Sequence, residues 1–253
     1  MTRNERNAVN LTFEWGPAGV ESLAPDADVL VVVDVLSFST TVSVAVERDA
    51  TVLPYRFEYD TARAYADARG AILAVHRADV TAEQPYSLSP ASLASAPRGA
   101  RIVLPSPNGS ACCVRAAELG VAHVLVGSLR NATATATAAR RLGTRIAVIA
   151  AGERWPDGSL RPAVEDAVGA GAILARLEPA TVSPEAAIAI ASYEAAKDRM
   201  RDIIARSISG RELIDQGYDA DVDAALDVDA SSLAAVLRDG AIVAATAAAE
   251  RTV

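Results

Sequence analysis

Residues 29–41 read VLVVVDVLSFSTT, and this stretch decides the fold class. The run Val29–Val35 is aliphatic apart from Asp34, which is typical of a strand that helices cover on both faces. A hydroxyl-rich turn follows, and a helical pattern then extends from Ser39 to Arg48. A buried strand that leads directly into a helix indicates an α/β protein.

Apolar runs of strand length alternate with helical patterns over the first 178 residues. The predicted strands are Leu11–Trp15, Val29–Val35, Thr51–Pro54, Ala71–Val75, Arg101–Pro105, His123–Val126 and Arg145–Ala150. The predicted helices are Ser39–Arg48, Thr61–Arg69, Gly109–Leu119, Ala132–Leu142 and Ala163–Leu177. This alternation predicts a parallel or mixed sheet between layers of helices.

The character of the chain changes after Pro179. Residues Ser183–Leu226 are predicted to form successive helices, and the short apolar stretches Leu233–Leu237 and Ala241–Ala245 close the chain. We therefore divide the chain into an α/β core of residues 1–178, which carries the site, and a mainly helical segment of residues 179–253 that packs on the same core.

The formal net charge of −8 argues against a nucleic-acid or anionic membrane partner, since either would require a basic face. The two cysteines, Cys112 and Cys113, are adjacent, and disulfide geometry is hard to meet across one peptide bond. The N-terminus has no apolar signal region, and no apolar run is long enough to span a membrane. We expect a cytoplasmic protein, and a homodimer is compatible with the sequence.

Asp34 stands where the predicted strand ends, at the edge where open α/β sheets bind ligands. The helix that follows offers free amide groups to an anion, and Ser37, Ser39 and Thr40 add hydroxyl groups. The alternative is structural, with Ser39 as a helix cap and Asp34 bonded to loop amides. Position alone does not decide between the two interpretations.

Two further strand-to-helix turns carry polar groups. Asn108, Gly109 and Ser110 follow one strand, and Ser128 and Asn131 follow another. Glycine permits a close approach of the backbone to a ligand, so the first turn could cradle an oxyanion. The turns would converge on Asp34 if the strands were parallel neighbours. Each could equally be an ordinary turn.

Glu165 and Asp166 form an acidic pair at the start of an otherwise apolar helix. Carboxylates in a first helical turn are favourable with the helix dipole, but they are also the hard oxygen ligands that Mg²⁺ prefers. Arg77, Arg154 and Arg211 are candidates to bind an oxyanion, since arginine can donate two parallel hydrogen bonds. For Arg211, the alternative is a role in capping a surface helix.

Five segments in this order resemble the 2-phosphosulfolactate phosphatase (ComB) family. They are VVVDVLSFSTT, SPNGSA, VGSLRNA, the AAGER and EDAVGAGAIL block, and SGRELIDQGYDADV. The resemblance implies a three-layer α/β/α architecture and Mg²⁺-dependent hydrolysis of a small acidic phosphate monoester. It places Asp34, Glu165 and Asp166 on acidic family positions. Further family motif positions fall on Asn108, Gly109, Ser128, Asn131 and Arg211.

The chain departs from the family pattern at Ser37, where the family commonly has arginine, and in residues 75–90. These departures favour one alternative function, in which an altered homologue binds a small anion or a partner without hydrolysis. The resemblance otherwise implies a phosphatase with Asp34, Asn108 and Arg211 in catalysis. A metal would be held by Asp34 with one or both of Glu165 and Asp166.

Overall fold

Ten strands form one mixed sheet in the computed structural model, which describes residues 9–56, 59–178 and 181–245. The order across the sheet is β10-β1-β7-β2-β6-β11-β12-β3-β5-β4, and β8 and β9 form a separate hairpin. The strands are β1 Asn10–Trp15, β2 Val29–Val33, β3 Thr51–Tyr55, β4 Ile72–Leu73, β5 Arg101–Pro105, β6 His123–Gly127, β7 Arg145–Ala150, β8 Glu153–Arg154, β9 Leu160–Arg161, β10 Thr181–Val182, β11 Ala235–Arg238 and β12 Ala241–Ala244.

Helices connect most of these strands. They are α1 Gly16–Leu23, α2 Phe38–Glu47, α3 Tyr59–Asp67, α4 Pro90–Leu93, α5 Gly109–Glu118, α6 Ala132–Leu142, α7 Val164–Leu174, α8 Pro184–Ala196, α9 Met200–Ala205, α10 Ile208–Asp215 and α11 Asp219–Ala225. The predicted alternation of strands and helices is confirmed. Helices α1 and α4 were not predicted.

Strand β2 lies inside the sheet, between the parallel strands β6 and β7. Because side chains alternate along a strand, its residues belong to two different cores. Val29, Val31 and Val33 pack with residues of α6, α7 and α8, whereas Leu30 and Val32 pack with residues of α1, α2 and α5. The sheet is therefore covered by helices on both faces, and the expected three-layer α/β/α architecture is confirmed.

A hairpin from the end of the chain completes the middle of the sheet. β11 pairs with β6, and β12 pairs with β3, each in the antiparallel sense. Asp239 and Gly240 form the turn with φ values of 48° and 76°, as expected for an Asp-Gly hairpin turn. Two short apolar stretches mark these strands in the sequence, but the hairpin that this dipeptide signals was not predicted.

The hairpin divides the sheet into two parallel blocks that run in opposite directions. One block contains β10, β1, β7, β2 and β6, and the other contains β3, β5 and β4. Neighbouring strands ordinarily twist by about 20–25°, and five steps separate β2 from β5. A hydrogen bond from Gly109 to Asp34 shows that the sheet curves enough for the turn after β5 to reach the end of β2.

No helix in the described part of the chain is both long and apolar enough to cross a membrane.

Candidate active site

Asp34 directly follows β2 and is almost fully buried, with 4% of its surface exposed. Its Oδ2 accepts a hydrogen bond of 2.8 Å from the amide of Gly109, and its Oδ1 accepts one of 3.2 Å from the amide of Phe38. Ser106 Oγ lies 3.5 Å from Oδ2. The start of α2 and the start of α5 therefore hold the same carboxylate from two sides.

The environment of Asp34 makes its ionisation costly. The pKa of Asp34 is raised from its ordinary value of 3.8 to about 6, first by burial and then by the nearby charge of Glu165, against the lowering effect of the two amides. Burial disfavours the charged form of a carboxyl group, and a second negative charge adds to that effect. A carboxyl group placed in this way is a candidate for function.

Glu153, the first residue of the β8–β9 hairpin, brings a second carboxyl group to the site. Asn108 Nδ2 donates a hydrogen bond of 2.9 Å to Glu153 Oε2. Burial, followed by the charge of Asp34, raises the pKa of Glu153 from 4.5 to about 7. Sequence reasoning did not select Glu153 as a site residue, because its role depends on a contact with Asn108 across 45 residues of chain.

Glu165 and Asp166 are both buried at the start of α7, but their surroundings differ. Asp166 accepts hydrogen bonds from the amides of Val35 and Gly152, at 2.7 and 2.8 Å, and thereby ties α7 to the ends of β2 and β7. The pKa of Asp166 is raised, first by burial and then by the charge of Asp34. Neither carboxylate oxygen of Glu165 has a hydrogen-bond partner.

A buried carboxylate without partners is costly, since it has lost water and gained nothing in exchange. Asp34, Glu153 and Glu165 together offer the all-oxygen donor set that suits Mg²⁺. Among the described residues, no three His, Cys, Asp or Glu side chains are already arranged to ligate a metal. Mg²⁺ usually takes only one or two carboxylates and keeps several waters, so two of these side chains would be enough to hold such an ion.

A cavity of about 230 Å³ opens beside Asp34 and Glu153, and its lining also includes Ser37, Arg77, Ser106 and Asn108. The buried Glu165 and Asp166 are not among its described lining residues. Pockets for drug-sized ligands usually measure about 300–1,000 Å³, so this cavity suits a small molecule. Of the residues predicted from the sequence, it brings together Asp34, Ser37, Arg77 and Asn108. Gly109 lies immediately behind the lining, at its bond to Asp34.

Other predicted substrate-binding residues are buried and bonded to the backbone around the site. Ser39 Oγ donates to the carbonyl of Asp34, Thr40 Oγ1 to that of Val35, and Ser110 Oγ to that of Leu104, at 2.7, 2.8 and 2.7 Å. These bonds shape the turns after β2 and β5. Ser37, and not Ser39, is the cap residue of α2, so the predicted cap role of Ser39 is wrong, and its hydroxyl instead joins the start of the helix to the backbone of Asp34.

Ser128 and Asn131 are hydrogen-bonded to each other in the turn after β6. Asn131 Oδ1 accepts a hydrogen bond of 2.8 Å from the amide of Ser128. Asn131 Nδ2 donates to the carbonyls of Val126 and Leu233, at 3.3 and 3.4 Å. Neither residue lines the cavity, and their predicted contact with substrate stays a prediction.

Two predicted arginines lie outside the cavity lining. Arg154 donates to the carbonyls of Gly158 and Pro107 and lines a neighbouring cleft. Arg211 is exposed on α10, and the residues of this helix that line the cavity include its neighbours Ser209 and Glu212. Their predicted roles in binding and catalysis stay predictions.

Asp221 is a buried residue beside the site that was not predicted from the sequence. Asp221 in α11 is 1% exposed and forms a salt bridge of 3.0 Å with Arg77. The only signal was its place in the last of the five motif segments. No spacing rule connects it to Arg77, which precedes it by 144 residues.

The chain is similar in sequence to known proteins over most of its length. A family model described as 2-phosphosulpholactate phosphatase matches residues 18–240. A 2-phosphosulfolactate phosphatase from Methanothermobacter thermautotrophicus is 31% identical over 214 residues, which cover 84% of this chain and 88% of the relative. A probable 2-phosphosulfolactate phosphatase from Thermus thermophilus is 30% identical over 217 residues, which cover 83% and 88%. The chain belongs to the 2-phosphosulpholactate phosphatase family.

Proposed function

We propose that this protein is a Mg²⁺-dependent phosphoric monoester hydrolase that acts on 2-phosphosulfolactate or a closely similar small acid. Family membership and the names of the two relatives support the reaction and the substrate class. The observation that carries the metal-dependent part is the buried Glu165 carboxylate, which has no hydrogen-bond partner and lies close enough to Asp34 to raise its pKa.

Asp34 and Glu165 would hold the ion, and Asp166 would contribute mainly by fixing the start of α7. When bound, Mg²⁺ supplies polarisation of the phosphoryl group and positioning of a water. The amides of Gly109 and Phe38 fix the direction of the Asp34 carboxylate. A fixed carboxylate loses little entropy when it binds a ligand, and this pre-organisation favours the reaction.

Glu153 is suited to move the proton. Its pKa of about 7 means that it can both take up and release a proton near neutral pH, which is the condition for an effective general acid or base. Asn108 holds the Glu153 carboxylate at the cavity wall through its side-chain amide. In this proposal, Asn108 acts on catalysis by orienting Glu153.

The experiment is a measurement of phosphate release by the purified protein from a panel of monoesters. The panel contains 2-phosphosulfolactate, phosphoglycolate and phenyl phosphate, each with Mg²⁺ and with a chelator. We expect release from 2-phosphosulfolactate that depends on Mg²⁺. If the protein binds sulfolactate but releases phosphate from none of the esters, the proposal is wrong and the chain is an anion-binding homologue.

A further inference from the structure

Arg77 is the only arginine, lysine or histidine among the described residues that line the cavity. Its side chain is 18% exposed, so the guanidinium is largely buried but reaches the open space. The rest of the charged lining is acidic and includes Asp34, Glu153 and Glu212. Because the rest of the charged wall is acidic, an anionic group of a ligand binds more favourably beside this single cation than at any other place on the wall.

Asp221 fixes the position of this guanidinium. Its Oδ2 accepts hydrogen bonds from Arg77 Nε and Nη2, at 3.2 and 3.0 Å. Its Oδ1 accepts bonds from Ser89 Oγ, at 2.6 Å, and from the amide of Ala91, at 3.2 Å. Both oxygens of this buried carboxylate are therefore used, and they connect Arg77 to α11 and to the start of α4. The ring of Tyr218 lies 5.2 Å from the Arg77 guanidinium carbon.

This arrangement leaves two donors for a ligand. Arg77 Nη2 donates to Ser37 Oγ at 2.8 Å, so the Ser37 hydroxyl accepts one bond and keeps its own hydrogen to donate. The structure shows no hydrogen bond from Arg77 Nη1 to any described residue. Ser37 and Arg77 both line the cavity. The O–H group of Ser37 and the free N–H groups of Arg77 can therefore donate to the two oxygens of one carboxylate or sulfonate.

We propose that Arg77 and Ser37 bind an acidic group of the substrate other than its phosphoryl group, a carboxylate or sulfonate, and that Asp221 is the positioning residue that orients Arg77 for it. This inference rests on the proposed function and names the substrate class of the same site. The phosphoryl group is assigned to the other wall, where a cation held by Asp34 would offset the repulsion between the carboxylates and the phosphoryl oxygens. A carboxylate or sulfonate has no such bridging cation and is drawn to the guanidinium.

The first test measures binding without turnover. Sulfoacetate carries a sulfonate and a carboxylate but no phosphate, and its Kd is measured by calorimetry for the wild-type protein and for Asp221→Asn. We expect the Kd to rise about tenfold in Asp221→Asn, which corresponds to about 1.4 kcal/mol. Asp229→Asn is the matched control, since Asp229 forms a partly buried ion pair with Arg176 away from the cavity. Its Kd should equal that of the wild type.

The second test separates the two ends of the substrate. For 2-phosphosulfolactate, Asp221→Asn should raise KM about tenfold and leave kcat little changed. For phenyl phosphate, which has no second acidic group, KM should stay at the wild-type value. An equal rise in KM for both esters would overturn the proposal, because Arg77 would then bind the phosphoryl group.

A third variant keeps the test decisive if Asp221→Asn fails to fold. Ser89→Ala removes one hydrogen bond from Asp221 Oδ1 and leaves the salt bridge in place. It should raise the Kd for sulfoacetate by a smaller factor, and an unchanged Kd would contradict the positioning role. If the wild type hydrolyses no ester but binds sulfoacetate in an Asp221-dependent way, the proposed function fails and the binding site stands. Hydrolysis with an unchanged Kd in Asp221→Asn would overturn this inference alone.

Discussion

The amide of Gly109 donates a hydrogen bond of 2.8 Å to Oδ2 of Asp34, although 75 residues separate them and their strands belong to opposite blocks of the sheet. The bond requires the backbone of α5 to approach the carboxylate without an intervening side chain. A Cβ atom at position 109 would lie 2.8 Å from Asp34 Oδ2 and still closer to the ring of Phe38.

Gly109→Ala is therefore expected to disturb both folding and activity. Overpacking a buried position typically costs about 1–3 kcal/mol, and the shift of α5 would also move the amide away from Asp34. Thermal unfolding and phosphate release measure the two effects. Gly99→Ala is the control, because its φ is 72° but nothing lies within 4 Å of its added Cβ. It should lose some stability and keep its activity, and full activity in Gly109→Ala would contradict the role of this contact.

The raised pKa values of Asp34 and Glu153 predict how stability depends on pH. Both groups release their protons at a higher pH in the folded protein, with pKa values of about 6 and 7, than in the unfolded chain, where 3.8 and 4.5 apply. The folded state therefore binds more protons in this window, and the free energy of unfolding falls as pH rises from about 4 to 7. For Asp34 alone, the loss is on the order of 3 kcal/mol.

Thermal unfolding of the chelator-treated protein should thus give a higher Tm at pH 5 than at pH 8. Added Mg²⁺ should raise the Tm mainly at pH 8, where the carboxylates are ionised and able to bind it. An equal effect of Mg²⁺ at both pH values would count against a carboxylate-bound ion.

Glu165→Gln should separate function from stability. The glutamate oxygens are buried without partners, so removing the charge relieves a desolvation cost and should leave the Tm of the metal-free protein unchanged or higher. Activity should fall about a hundredfold or more, a size typical of losing one electrostatic element of a site. Both quantities come from the same preparation.

The stability of Glu165→Gln is compared with that of a variant at the neighbouring carboxylate, Asp166. Asp166 accepts two backbone hydrogen bonds, and Asp166→Asn replaces one acceptor with a donor that faces an amide. Such a change should lower stability by about 1–3 kcal/mol. If Glu165→Gln proves as unstable as Asp166→Asn, then Glu165 is a structural residue and not a metal ligand.

Asn131→Ala tests whether the hydrogen bonds of Asn131 in the turn after β6 serve stability or substrate binding. Asn131 is fully buried, and its side chain joins the turn to the C-terminal hairpin through the carbonyl of Leu233. Its loss leaves several backbone groups without partners, and we expect a destabilisation of about 2–3 kcal/mol. The KM for the ester should not change. A higher KM at unchanged stability would instead support the contact with substrate that the sequence predicted.

The layered fold was predictable from sequence because its strands are aliphatic runs of the right length and its helices follow them directly. The position of the last strands was not, since β11 and β12 have four residues each and lie between strands that are distant in the chain. Local patterning carries no information about insertion into the middle of a sheet. The Asp239-Gly240 dipeptide was the one local signal of a hairpin, but it does not indicate which strands the hairpin pairs with.

The candidate site shows the same limit. Asp34, Asn108 and Gly109 could be selected because each follows a strand, where ligands bind in this fold class. Glu153 is placed by a tertiary hydrogen bond from Asn108, and Asp221 is placed by tertiary hydrogen bonds from Arg77, Ser89 and Ala91. Such pairings depend on how the sheet curves, which the sequence pattern does not contain.

The most direct test of the central claim compares wild-type protein with Asp34→Asn in phosphate release from 2-phosphosulfolactate in the presence of Mg²⁺. Asparagine keeps the size of the side chain, and Asp26→Asn, an exposed change near the opposite end of β2, serves as the control. This central claim, that catalysis requires the Asp34 carboxylate, predicts a loss of about a hundredfold or more in Asp34→Asn, with full activity in the control. The variant should stay folded but lose about 1–3 kcal/mol of stability, because asparagine replaces one of the two amide acceptors with a donor. Wild-type activity in a folded Asp34→Asn protein would contradict it.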